Sequence, residues 1–201
     1  DVVRGGANDD TVRGDAGIDQ VFGDDGRDHL YGDAGAAIGN LLGQRLFGGS
    51  GIDFLYAYHD GAASIPIAGP TGEELRGGPG GDFLFGNLGQ ELFVGGSGND
   101  FVGGDWLAGP NYGRNPDAAT TGDDDWALAG TGEDQLLGGG GNDTLMGGGD
   151  TDWLEGQDGN DTLRGGEGID ILLMDVRPIY TTFGDDLDGC LLYTSDAADE
   201  S

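Results

Sequence analysis

Apolar residues return along this chain at nine-residue intervals, each two places after an acid. Val12, Val21 and Leu30 form one series, Leu84, Phe93 and Val102 a second, and Leu136, Leu145, Leu154, Leu163 and Leu172 a third, with Leu55 alone between the first two. The acids keep pace as Asp10, Asp19 and Asp28, then Asp53 alone, then Asp82, Glu91 and Asp100, then Asp134, Asp143, Asp152, Asp161 and Asp170. Nine is not a multiple of 3.6, so no helix face collects these residues, and the glycines that open each block oppose helix. The last three places of a block, such as Thr144-Leu145-Met146, suit a short strand whose middle residue points inward. The first six places, rich in glycine, suit a tight turn. One block is then half a coil, and two blocks complete it. Coils stack at the usual strand spacing of about 4.8 Å. Acids two blocks apart therefore stand one above another, in two columns along the two edges.

The period divides the chain. A first segment covers 1–56, with a degenerate stretch at 32–47 where Ala37 occupies the place of an acid. Residues 57–76 and 103–121 each contain two prolines and read as loops leaving the coil, since proline cannot donate to a ladder. Between and after them lie repeat segments at 77–102 and 122–173. Residues 174–189 carry no repeat and read as a cap or the start of a following region. Residues 190–201, beginning CLLYTSDAADE, break the pattern and resemble a translated sequencing adapter. They are set aside from the fold.

Composition sharpens the picture. With 46 glycines, six prolines, 36% apolar residues and a formal net charge of -30, the chain has the profile of a disordered polymer. The strict period argues against that reading, because disorder needs no register. Such an acidic chain is a poor partner for nucleic acid or anionic membrane, and no run of 18 apolar residues offers a transmembrane segment. There is no lysine for a phosphate-binding loop. The two histidines, His29 and His59, are not in an HExxH motif, and Ser50 and Ser97 do not fit the G-x-S-x-G elbow. The single cysteine, Cys190, lies in the excluded tail, so disulfides and thiolate metal sites are not expected.

Stacked carboxylates repel one another unless a cation lies between them. Calcium takes six to eight oxygens from carboxylates and carbonyls, which aspartates and glycine turns both supply. Magnesium demands stricter octahedra, and transition metals prefer imidazole or thiolate.

Blocks such as GGSGIDFLY, GGPGGDFLF, GGSGNDFVG, GGGGNDTLM and GGEGIDILL resemble the RTX, or hemolysin-type, nonapeptide G-G-x-G-x-D-x-U-x, a calcium-binding β-helix repeat. That resemblance implies an all-β parallel β-roll, a right-handed β-helix with two nonapeptides per coil, holding Ca2+ in its turns. It makes Asp10, Asp19, Asp28, Asp53, Asp82, Glu91, Asp100, Asp134, Asp143, Asp152, Asp161 and Asp170 the candidate metal ligands. Acid pairs two blocks apart give about five well-formed sites: Asp10 with Asp28, Asp82 with Asp100, Asp134 with Asp152, Asp143 with Asp161, and Asp152 with Asp170. Asp19 faces Ala37 in this register, and Glu91 has no acid partner. The resemblance further implies type I secretion, an extracellular or cell-surface location, and a non-enzymatic module of a larger secreted bacterial protein. The alternative is the repeat portion of a secreted peptidase or lipase whose catalytic domain lies outside the fragment. Outward aromatics, among them Phe54, Phe83, Phe101 and Trp153, are either covered by the two loops or form a patch for a neighbouring domain or surface partner.

Overall fold

The computed structural model describes residues 1–15, 18–32, 44–57, 73–86, 90–104 and 124–173, together with the backbone of 186–188. Among the described residues every regular element is a strand, and no helix is long and apolar enough to cross a membrane. Odd-numbered strands form one sheet, in the order β1 (Val2–Ala7), β3 (Gln20–Asp25), β5 (Arg45–Ser50), β7 (Glu74–Pro79), β9 (Leu92–Ser97), β11 (Trp126–Thr131), β13 (Thr144–Gly149), β15 (Thr162–Glu167) and β17 (Asp186–Asp188). Even-numbered strands form the other: β2 (Thr11–Arg13), β4 (His29–Tyr31), β6 (Phe54–Tyr56), β8 (Phe83–Phe85), β10 (Phe101–Gly103), β12 (Gln135–Gly140), β14 (Trp153–Asp158) and β16 (Ile171–Leu173). All neighbours pair in parallel. One strand per block, alternating between two parallel sheets, is the parallel β-roll.

The turns explain the glycines. The second and fourth places of a block take positive φ, as at Gly49 (116°) and Gly51 (135°). A Cβ on Gly51 would overlap the carbonyl oxygen of Gly26 in the preceding coil. Where the conformation is left-handed but less extreme, other residues stand in: Asn8, Asp15, Asp24, Asp150 and Gln157 have φ between 60° and 85°. Aspartate and asparagine tolerate that region best among side-chain-bearing residues.

Pairing shows how the coil survives its interruptions. Uninterrupted coils advance by two blocks, as in Val2↔Gln20 and Trp126↔Thr144. Four coils advance further: Gln20 pairs with Arg45, Arg45 with Glu74, Leu92 with Trp126, and Thr162 with Asp186. Each interruption thus lengthens a single coil without shifting the register on either side. A parallel ladder allows this, because extra chain can leave at a turn while the strands keep their partners. Strand β7 opens at Glu74, so the coil resumes within the 57–76 stretch. Residues 58–72 and 105–123 lie outside the described residues, as do 174–185 and 189–201. In the 174–189 stretch, β17 adds a strand beside β15.

Between the sheets runs one column of apolar side chains per sheet. All twelve eighth-place residues named above are buried. Leu46, Leu75 and Ala127 complete the columns where the sequence pattern looks broken. Each fully buried leucine contributes about 2 kcal/mol by leaving water.

Candidate metal centre

The sixth-place acids sit at the ends of the apolar columns, just before each short strand. On the edge preceding the even strands, eight aspartates follow one another, one per coil: Asp10, Asp28, Asp53, Asp82, Asp100, Asp134, Asp152 and Asp170. Each of the first seven donates its backbone N–H to Oδ1 of the next, over 2.7–3.1 Å. The series runs unbroken from Asp28 to Asp82, and Asp53 bonds to both of them. Asp53 is therefore an interior member of the column rather than an isolated acid. Except for Asp10, which is half-buried, these carboxylates are at most 3% exposed.

The other edge holds Asp19, Gln44, Glu73, Glu91, Asp125, Asp143 and Asp161. Glu91, Asp125 and Asp143 make the same backbone-to-carboxylate bond to the next member, at 2.8, 2.8 and 2.9 Å. Two expectations change here. The coil after Asp19 reaches Gln44, whose neighbour Arg45 donates to the Asp19 carbonyl at 3.0 Å. The inserted residues give Gln44 the place that the unbroken period assigned to Ala37, which itself lies outside the described residues. Glu91 is not without an acidic neighbour, because Leu92 donates to the Glu73 carbonyl at 2.8 Å, which places Glu73 one coil before it and Asp125 one coil after. The sequence reading missed Gln44 and Asp125 and set Glu73 aside as out of register. Counting back nine residues from Asp53, Asp82 and Asp134 finds all three, and their apolar partners Leu46, Leu75 and Ala127 with them.

Along the first edge every aspartate from Asp28 onward uses one oxygen in the ladder, and all eight leave Oδ2 buried without a hydrogen-bond partner. A buried, unsatisfied carboxylate oxygen is costly, and a repeated row of them points to a ligand. Each Oδ2 faces the glycine that opens its own block, except in the block of Asp134, which opens with Ala129. A Cβ placed on Gly5 would lie 2.9 Å from Asp10 Oδ2 and 2.9 Å from the carbonyl oxygen of Gly23 in the next coil. The same convergence recurs at Gly48, whose Cβ position meets Asp53 Oδ2 and, at 2.7 Å, the Gly77 carbonyl oxygen. The space where a side chain would stand is thus walled by a carboxylate oxygen from one coil and a carbonyl oxygen from the next. Among the described residues no three Asp, Glu, His or Cys side chains converge on one point. A cation here takes its remaining oxygens from the backbone, which suits calcium and not a thiolate- or imidazole-seeking metal.

Burial and crowding also shift the titration of this row. Desolvation pushes Asp53, Asp82 and Asp152 up to about 6 and Asp100 up to about 7; the backbone N–H each accepts opposes the shift, and repulsion from column neighbours adds to it. Asp28 and Asp134 move in the same direction for the same leading reason. With raised values the metal-free fold binds more protons than the unfolded chain, so protonation stabilises it below about pH 4 and that stability is lost as pH rises through 6–7. Calcium competes with those protons, so its affinity should fall as pH drops from 7 towards 5. In calcium-free buffer, circular dichroism is expected to show most β structure near pH 4 and least above pH 7. A metal-free β signal that grows with pH would contradict the assigned burial of these carboxylates.

The model of the RTX calcium-binding nonapeptide repeat (4 copies) matches residues 1–37, 38–60, 67–102, 120–154 and 137–172, more than half of the chain. No curated protein and no solved structure matches it.

Proposed function

Since the chain belongs to the RTX calcium-binding nonapeptide repeat family, we propose that it is a calcium-folded structural module of a larger secreted protein. The repeat is a structural calcium-binding element rather than a catalytic one. The observation that carries the proposal is the row of buried Oδ2 atoms without partners, set beside carbonyls of the next coil. Asp10, Asp28, Asp53, Asp82, Asp100, Asp134, Asp152 and Asp170 would hold ions along one edge, and Asp125, Asp143 and Asp161 with Glu91 along the other. The five pairs two blocks apart are all neighbours in the columns. The steps that span insertions, Asp28 to Asp53, Asp53 to Asp82 and Asp100 to Asp134, share their geometry and extend the number of sites. The Asp19–Gln44–Glu73 stretch is the weakest part, because an amide brings no charge and a glutamate is longer by one methylene. Bound calcium supplies positive charge between carboxylates and a bond between coils. Family membership supports export by the type I route and an extracellular setting, where calcium is abundant enough for weak sites with dissociation constants of roughly 10⁻⁴–10⁻³ M.

One pair of variants separates ligation from bulk charge. Asp152 stands between Asp134 and Asp170 in the column, whereas Asp25, a third-place turn residue, is exposed. Asp152→Asn is expected to raise the calcium midpoint of folding about fivefold and to lower the number of ions bound in calorimetry. Asp25→Asn removes the same charge and is expected to leave both unchanged. If both variants shift the midpoint downward together, relief of self-repulsion is the whole effect, and the columns are not ligands.

A further inference from the structure

Seventh-place residues of the even strands point outward and form a ladder of rings. His29, Phe54 and Phe83 stack 4.7 Å apart and within 4° of parallel. At Phe101 the ladder opens: its ring is 6.2 Å from Phe83 and tilted by 32°. The next rung is Gln135, which has no ring, and the one after it is Trp153, 38% exposed. A groove of about 400 Å³ lies at this rung; Gln135 lines it together with Phe83, Phe101 and Trp153, Glu133 stands at its rim, and the column acids Asp100, Asp134 and Asp152 lie along it. That size lies within the usual range for small-ligand sites.

The same ladder shows what its rings accept. Arg27, just before Asp28, places its guanidinium 5.0 Å from the ring of Phe54, the residue after the next acid in the column. Arg13 lies 5.2 Å from the Tyr31 ring on this face, and Arg4 covers Phe22 on the other sheet at 4.1 Å. In the groove the equivalent of Arg27 is Glu133, just before Asp134, and the equivalent of Phe54 is Trp153. The geometry that pairs a ring with a cation in the first half pairs it with a carboxylate in the second. Among the described residues no arginine lies over Trp153. The exposed Glu133 is tied to the rim through its backbone N–H, which donates to Asn99 Oδ1 at 3.1 Å, leaving its carboxylate to face solvent.

We propose that this groove binds an arginine side chain of a partner polypeptide, its guanidinium stacked on the Trp153 ring and paired with Glu133. A guanidinium stacks as a cation on an aromatic face, and the exposed face of Trp153 offers one. Arginine fits better than lysine because its planar fork can meet a carboxylate with two parallel bonds while stacking. The strong negative charge of the chain, formally -30, draws cationic segments towards it.

The test uses the full chain folded in calcium and a capped Gly-Arg-Gly peptide, with the Trp153 indole N–H followed by NMR. The expected result is a saturable shift that a citrulline peptide, equal in shape but uncharged, reproduces at least tenfold more weakly. Glu133→Gln and Trp153→Leu should each weaken binding about tenfold, and Trp126→Leu, 54% exposed on the other sheet, should leave it unchanged. Glu133 is an exposed rim residue, so its variant carries the test even if Trp153→Leu fails to fold. Equal binding of the citrulline peptide, indifference to Glu133→Gln, or the same loss in Trp126→Leu would overturn the proposal. So would a neutral oligosaccharide that shifts Trp153 where the arginine peptide does not.

Discussion

Stripped of calcium at pH 7.5, the chain is expected to lose both sheets and give the circular dichroism of a disordered polymer; millimolar calcium should restore them. At the roughly 4.8 Å spacing of stacked strands, two ionised carboxylates repel by about 3 kcal/mol at an effective dielectric of about 20. That repulsion repeats along an edge of eight aspartates. Against it, each block buries a single eighth-place side chain worth about 2 kcal/mol, less than the cost of ordering the backbone of a whole block. The net charge of -30 adds self-repulsion over longer distances. Binding free energy is then folding free energy, as in other small metal-dependent domains. Magnesium at the same concentration should restore little, because it holds its water and wants a rigid octahedron. A full β spectrum at neutral pH in excess chelator would show that the coil stands on its own packing.

Gly147→Ala is the second large effect, and Gly149→Ala its control. The two glycines are two residues apart in one turn. A Cβ on Gly147 would overlap Oδ2 of Asp152 and lie 2.8 Å from Asp152 Cβ, inside the space proposed for the ion. A Cβ on Gly149 would find its nearest neighbour, Thr131 Cγ2, at 3.9 Å, an ordinary contact. The first change must displace the ligand or the backbone, at a cost of about 3 kcal/mol or more. It should raise the calcium midpoint at least tenfold or abolish folding. The second should stay within about 0.5 kcal/mol of the parent, since surface substitutions with room rarely do more. Thermal melts in saturating calcium make the comparison. Equal melting temperatures for the two variants would mean that the first-place glycine is there for the turn alone and not for the oxygen cradle.

Much of this was legible before any coordinates. The eighth-place residues pointed inward because a three-residue strand has only one middle, and every one of the twelve is buried. The acids lay in two columns because two blocks make one coil. Reading forward from each segment, however, lost the register at every insertion. It left Asp53 alone, gave Asp19 the wrong neighbour, missed Gln44 and Asp125, and set Glu73 aside, although a single block length separates each of these last three from an acid already recognised.

A local period of glycine, acid and apolar residue determines the coil, its two edges and the identity of the ion, since those follow from side-chain alternation and oxygen chemistry within one or two blocks. Tertiary pairing alone decides which coils are neighbours across insertions of different lengths. Closing such a loop costs little more as it lengthens, so sequence distance carries almost no information about which strands meet. Stacking likewise sets Glu133 beside Trp153 in a ladder where Arg27 covers Phe54. Each of these pairs is separated by a full coil or more along the chain, and only the pairing of their coils brings Arg27 onto the Phe54 ring and Glu133 and Trp153 to one groove.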